Sequence, residues 1–272
     1  MSKPYRSFAR TAGWVYICLV CVYLLVPMLV VIPLSFTSGT MLVLPIPGVS
    51  MRWYADVFSS SEWLAAFKNS IIIGLASAAL SVVLGVLAAL GAAQAKGRLI
   101  NILSALIVAP LVVPIVIIAV GLFYAFARIG LAQTYTGIIL AHTALGAPFV
   151  FILVSASLKS LDRTLLRAGA ALGGSPIHVF RTITLPLIGP GILSGALFAF
   201  AASFDELVII LFLASPSQRT LPREIFSGIQ ESISPSIAAV AVIMMIIASL
   251  LLICSEMLRR RSERIRGGTG GI

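Results

Sequence analysis

The 272-residue chain is 60% hydrophobic and 10% charged, with a mean hydropathy of +1.10, whereas soluble domains run about 45–50% apolar and about 25% charged. So few ions cannot cover a water-soluble domain of this size, which excludes a soluble enzyme and leaves a protein whose solvent is mostly lipid. The net charge of +10 lies in short clusters between long uncharged runs, not on one face, so the cations read as loop charges that orient spans, and no nucleic-acid partner is expected.

A spanning helix needs about 20 mainly apolar residues, and six runs qualify, at 14–36, 71–95, 102–127, 136–158, 188–213 and 237–258. Residues 1–13 form a basic amino terminus carrying Lys3, Arg6 and Arg10. The first run exceeds a secretory h-region and is expected to remain as an anchor. Cys18 and Cys21 share one helix face in that run and Cys254 lies in the last; in hydrocarbon they read as packed small hydrophobes, not as a redox or metal site.

The stretches 69–95, 99–127 and 129–158 contain no formal charge, so the second to fourth spans cross without burying an ion. Pro110, Pro114, Pro148 and Pro190 interrupt the third, fourth and fifth. Each removes a backbone hydrogen bond, and each either hinges its span or is merely tolerated there. Gly121, Gly137, Gly146, Gly191 and Gly195 allow close helix contact. His142, in the fourth span, reads as hydrogen-bonded between helices, not as a metal ligand.

The longest inner connection, 159–187, is too polar to cross and too patterned for a slack loop. Asp162 can cap a helix carrying Leu165, Leu166, Ala168 and Leu172, and Gly173-Gly174 ends it without a Cβ penalty. Ser175 and Pro176 then suit the cap and first turn of a second helix. Ile177, Phe180 and Ile183 offer it an apolar edge, and Pro186 is expected to close it. Two short helices at a glycine corner form a rigid knob suited to docking.

The fifth span carries Asp205 and Glu206, an adjacent acidic pair. Each ion costs about 2.5–3.5 kcal/mol at a helix centre, so the pair should face water, a partner or a cation. Neighbouring helical residues diverge by about 100°, so one can line a solute path, for an amine or guanidine, while the other caps or pairs. Alternatively both lie near the outer mouth or brace a partner. Residues 222–233, with Ile225, Phe226 and Ile229, form an amphipathic segment, either a lid or a contact for a partner protein, or a short interfacial helix closing the bundle. Residues 259–272 form a basic, flexible tail whose glycines at 267–271 have no partner in the pattern.

With the amino terminus inside, 14 of the 19 Lys and Arg fall on the inner side, which predicts that both termini are cytoplasmic. The expected fold is an all-α integral membrane protein with six transmembrane helices over 14–258 and a cytoplasmic coupling-helix pair between the fourth and fifth.

At the coupling pair the sequence resembles the integral-membrane permeases of binding-protein-dependent ABC importers. Their signature is E-A-A, three residues, Gly, nine residues, then Ile-x-Leu-Pro. Here Gly173 is followed after nine residues by Ile183-Thr184-Leu185-Pro186. The leading triplet departs, reading Arg167-Ala168-Gly169, with a cation in place of the acid. The likeness runs over nearly the whole chain, including Ser203-Phe204-Asp205-Glu206 and Thr220-Leu221-Pro222, and is greatest to the spermidine/putrescine branch.

The resemblance implies a permease subunit in a bacterial inner membrane. Two ATPase subunits would hold ATP and Mg and grip Arg167, Ala168, Gly169, Gly173, Ser175, Pro176, Ile183, Leu185 and Pro186. A second, non-identical permease would pair with it, and an extracytoplasmic binding protein would deliver a polyamine or related nitrogen compound. This chain would bind no cofactor or metal and perform no catalysis. It contains no G-x-x-x-x-G-K-[ST] phosphate loop, so the energy must come from a partner or an ion gradient. The alternative is an ion-coupled secondary transporter of a small cation, which would need its own ion site and often shows inverted halves. An intramembrane enzyme would need a nucleophile–base or metal constellation, and the sequence offers none.

Overall fold

The computed structural model describes residues 3–95, 97–231 and 233–267. The glycines of the expected loose tail at 268–271, and Lys96 of the second inner loop, lie outside them. The described residues form helices joined by short connections. Five helices are long and apolar enough to cross a membrane, and a bent pair makes a sixth crossing if counted as one span.

The chain divides into two compact units, residues 1–61 with 225–246, and residues 62–224 with 247–272. In the first, α1 (Lys3–Ser35) carries no buried residue from Gly13 as far as Leu34. Its end is tied to α2 (Arg52–Ser59) where Ser35 Oγ meets the Tyr54 hydroxyl at 2.8 Å and Trp53 Nε1 donates to the Thr37 carbonyl at 2.9 Å. The Arg52 guanidinium stacks over the Trp53 ring.

In the second unit, α3 (Ser61–Gln94) is followed by α4 (Arg98–Val108) and α5 (Ile115–Arg128). The third apolar run was expected as one helix. Instead the chain turns by 103° between the segments Arg98–Leu111 and Ile115–Arg128. Pro110 and Pro114 bracket the turn; neither has an N–H to donate, and the residue before a proline is disfavoured in the helical region. Pro148 and Pro190, by contrast, sit inside continuous helices, α6 (Tyr135–Lys159) and α9 (Leu185–Phe204).

The connection after α6 contains α7 (Arg163–Ala171) and the short α8 (Pro176–Val179). Pro186 does not end this second helix. A π-helical turn over Phe180–Thr184 joins α8 to α9, closed by the Leu185 N–H donating to the Phe180 carbonyl. The wider turn makes room for the proline ring and uses the Leu185 amide one residue earlier, so the chain runs from the knob straight into the span. The fifth run also ends earlier than 213, at Phe204, and restarts as α10 (Val208–Leu213). Beyond it come α11 (Leu221–Glu231) and α12 (Pro235–Gly267). The last helix therefore includes residues 259–267, which the sequence alone placed in a tail.

Two clusters form the core of the second unit. One joins Ile73, Ala119, Ile138, Leu145, Ile209 and Leu213, and the other joins Ala78, Ala89, Val150, Val154, Ile188 and Ala199. Helices α6 and α9 approach closely because the residue at the contact is glycine. A Cβ on Gly195 would stand 2.9 Å from the Val150 Cα, and one on Gly146 would stand 3.0 Å from the Ala199 Cβ. Gly191 packs likewise on Ser157, whereas Gly121 has nothing within 4 Å.

Gly195→Val is expected to cost about 1–3 kcal/mol by overpacking against backbone that cannot yield. The measurement is thermal unfolding in detergent, where Gly195→Val should lower Tm and Gly121→Val should leave it unchanged.

Candidate functional site

The knob is built by caps that are local in sequence. The Asp162 carboxylate accepts the Thr164 N–H at 2.8 Å and starts α7. At the other end the Gly174 N–H donates to the Gly169 carbonyl and the Gly173 N–H to the Ala170 carbonyl, both near 3.0 Å. This reciprocal pair satisfies the last carbonyls of the helix and requires a left-handed residue, which is Gly173 at φ +84°. Ser175 Oγ then accepts the His178 N–H at 3.3 Å, with Pro176 in the first turn of α8.

Gly169 has a second role that its place in the triplet did not reveal. A Cβ there would stand 2.7 Å from the Ile183 Cδ1, so glycine lets α7 close on the π-helical turn. Ile183 and Phe180 are half-buried in consequence, and Ile177 alone of the expected edge is left well exposed. Leu172, the last of the apolar residues named for α7, is 90% exposed at the corner. Leu172 and Ile177 thus project apolar surface from a rigid turn, where His178 is also exposed, and Arg167 is exposed elsewhere on α7. Leu185 and Pro186 lie at the start of α9, with Leu185 exposed.

Asp205 and Glu206 sit at the break between α9 and α10 and have different environments. Asp205 terminates α9 and is exposed. Glu206 is buried, and its Oε1 accepts the Ile209 N–H at 2.9 Å, capping α10. A carboxylate aimed at the free N–H groups of a new helix is favoured there, which is why the helix stops and restarts at this pair.

Leading to the break is a buried polar seam that apolar averages concealed. Ser203 Oγ meets His142 Nδ1 at 2.7 Å and accepts from Ser77 Oγ at 3.0 Å, joining α9, α6 and α3. At the end of α3 away from Gln94, Asn69 Nδ2 donates to the Ser217 and Arg219 carbonyls, and its Oδ1 accepts from the Tyr135 hydroxyl. Ser70 Oγ accepts the Leu221 N–H at 2.9 Å. Polar residues at 69, 70, 77 and 81 on one face of the second span were the available signal. Among the described residues, no group of three His, Cys, Asp or Glu could hold a metal ion.

Helices apolar and long enough to cross a membrane, broken at an acidic pair and continued into a capped helical knob, are the frame that holds these residues. Residues 81–264 match the family described as binding-protein-dependent transport system inner membrane component, and the chain belongs to that family. Relatives include the putrescine transport system permease protein PotI of Escherichia coli, 33% identical over 90% of this chain and 89% of that one. The spermidine/putrescine transport system permease protein PotC of Haemophilus influenzae is 28% identical over 95% and 99%. A molybdenum transport permease, ModB of Mycobacterium bovis, is 33% identical over 74% and 81%. In fold, the chain resembles a subunit of a bacterial alginate ABC transporter crystallised with an alginate-bound periplasmic protein, with TM-score 0.70 and 18% identity over 96% of this chain and 98% of that one. The chain is accordingly an inner-membrane component of a binding-protein-dependent transport system.

The Thr164 N–H, and after it the Thr164 side chain, hold the Asp162 carboxyl below the usual carboxylate range. A depressed pKa means that the cap is complete above the ordinary carboxylate range and is lost as pH falls through the lowered value. Hydrogen exchange should show the first turn of α7 equally protected at neutral and mildly acidic pH and released in stronger acid. Asp162→Asn should keep a cap but lose the acid step.

Proposed function

We propose that residues 163–186 are the contact through which two ATPase subunits drive this permease, and that the solute is a polyamine or related small cationic nitrogen compound. The single observation carrying the first part is the corner at Gly173. Two capped helices hold exposed Leu172 and Ile177 in fixed geometry, and the second helix continues without interruption into α9. A push on that corner moves the span as a lever, since an unbroken helix transmits displacement where a loop would absorb it. Arg167, Ala168, Gly169, Gly173, Ser175, Pro176, Ile183, Leu185 and Pro186 build or flank that lever.

The assembly proposed has this chain paired with a second, non-identical permease, and an extracytoplasmic binding protein delivering solute at the opposite face. Both termini and the lever lie in the cytoplasm, as the bias of 14 of 19 Lys and Arg supports. The polyamine assignment draws support from the names of the PotC and PotI relatives. It also draws on Asp205, an exposed acid at a helix break, where a cation finds both a carboxylate and a helix C-terminus. Glu206, committed to its cap, serves the path by shaping the break.

Gly173→Val forces a β-branched residue into the left-handed region at about 1–2 kcal/mol, and about a tenfold fall in binding-protein-dependent uptake is expected with membrane insertion unchanged. Uptake at the wild-type rate would overturn the lever. Asp205→Asn should raise KM for putrescine, while Glu206→Gln should act mainly on stability, by about 1 kcal/mol through a weakened cap. Normal putrescine uptake by Asp205→Asn at low concentration would remove Asp205 from the path.

A further inference from the structure

Where α3 ends at Gln94 and α6 ends at Lys159, the structure contains two adjoining cavities. One, of about 640 Å³, lies under the coupling segment against Leu90, Leu158, Leu166 and Phe180, with Gln94 and Arg167 as polar groups. The other, of about 520 Å³, has Lys159, Asn101 and Ser104 on its wall. Ala93 and Leu158 line both. Each volume is that of a small-molecule site, and in each an apolar lining carries a few polar groups.

We propose that these cavities hold an anionic phospholipid of the cytoplasmic leaflet, with Arg167 and Lys159 as the cations that receive its headgroup. Three observations converge on that ligand. Both cavities lie where two apolar helices end, the level at which hydrocarbon gives way to headgroups, so their mixture of leucine wall and terminal polar groups matches an acyl chain below a phosphate. Among the described residues no carboxylate lines either cavity and each has one cation, so the sign of charge selects an anion. Finally, the Ser155 hydroxyl, on the wall of the second cavity, is buried without a hydrogen-bond partner, and a phosphate or ester oxygen supplies one. Basic pockets between spans on the cytoplasmic side are a recurring form of lipid headgroup site.

The consequence is mechanical. A lipid held beneath α7 and the π-helical turn fills the space between lever and bundle, so its presence stiffens the lever against the spans. The assignment rests on the cytoplasmic placement of the lever, which is tested separately. Ser160→Cys should react with an impermeant maleimide in inside-out vesicles and not in right-side-out ones, whatever happens to lipid.

The test is native mass spectrometry of the importer, co-purified with its partner subunits, from nanodiscs of phosphatidylcholine alone or with a quarter phosphatidylglycerol. Wild type should retain phosphatidylglycerol through delipidation. Arg167→Gln and Lys159→Gln should each weaken retention about fivefold, the effect of one cation at the surface. Ala93→Phe, which blocks the shared wall and leaves every charge in place, should also release the lipid. Arg98→Gln, a neighbouring cation on neither wall, should retain it. Equal loss with Arg98→Gln would reduce the effect to general surface charge and overturn the site, as would undiminished retention in Ala93→Phe. Displacement by inorganic phosphate at millimolar levels would assign the cations to a soluble anion and overturn the lipid.

Discussion

Everything in this structure follows from the need of a backbone in hydrocarbon to satisfy its own hydrogen bonds. An unbroken helix does so automatically, so each place where the helix stops must supply a substitute, and those places are where the chain acquires features beyond packing. At residues 110–114 two prolines reduce the number of donors left over. At 205–207 the Glu206 carboxylate takes the Ile209 N–H. At 172–175 the paired bonds from Gly173 and Gly174 close the carbonyls of α7. The π-helical turn before Pro186 is a fourth solution, re-registering the helix instead of ending it.

These solutions divide the labour. The glycine corner and the π-helical turn make the external segment rigid and continuous with α9, which suits the transmission of force. The acidic break gives the interior of the same span a polar point with one exposed and one committed carboxylate. The Ser77–Ser203–His142 seam reaches within two residues of that break, so a movement of α9 must be accommodated by the packing of α3 and α6. The proposed lever and the break are thus joined by one continuous helical stretch, residues 176–204, and its C-terminal cap.

Several of these features were legible in the residues. Asp162, Ser175, Pro176 and Gly173 act through neighbours two to five positions away, so their roles follow from spacing. The uncharged runs were legible because a span's length is set by the bilayer and not by its neighbours. Pro186 was misread as a stop because proline's effect depends on whether the preceding turn can widen. The bend in the third run had its signal in Pro110 and Pro114, whereas the stop after Phe204 in the fifth had none, because an apolar average does not register where a helix ends. The exposure of Leu172 was not legible, since a pattern identifies an apolar residue without saying whether another element covers it.

The amino-acid sequence by itself determined that this is a helical membrane protein with a pair of capped short helices between its fourth and fifth apolar runs, because hydrophobic length and cap chemistry are local properties. Only the tertiary structure decided which glycines let helices touch, which of two adjacent acids is buried, that Ser77, Ser203 and His142 are linked, and that Asn69 meets Tyr135. Those outcomes depend on residues tens of positions apart meeting at one place, and no spacing along a single chain encodes such a meeting.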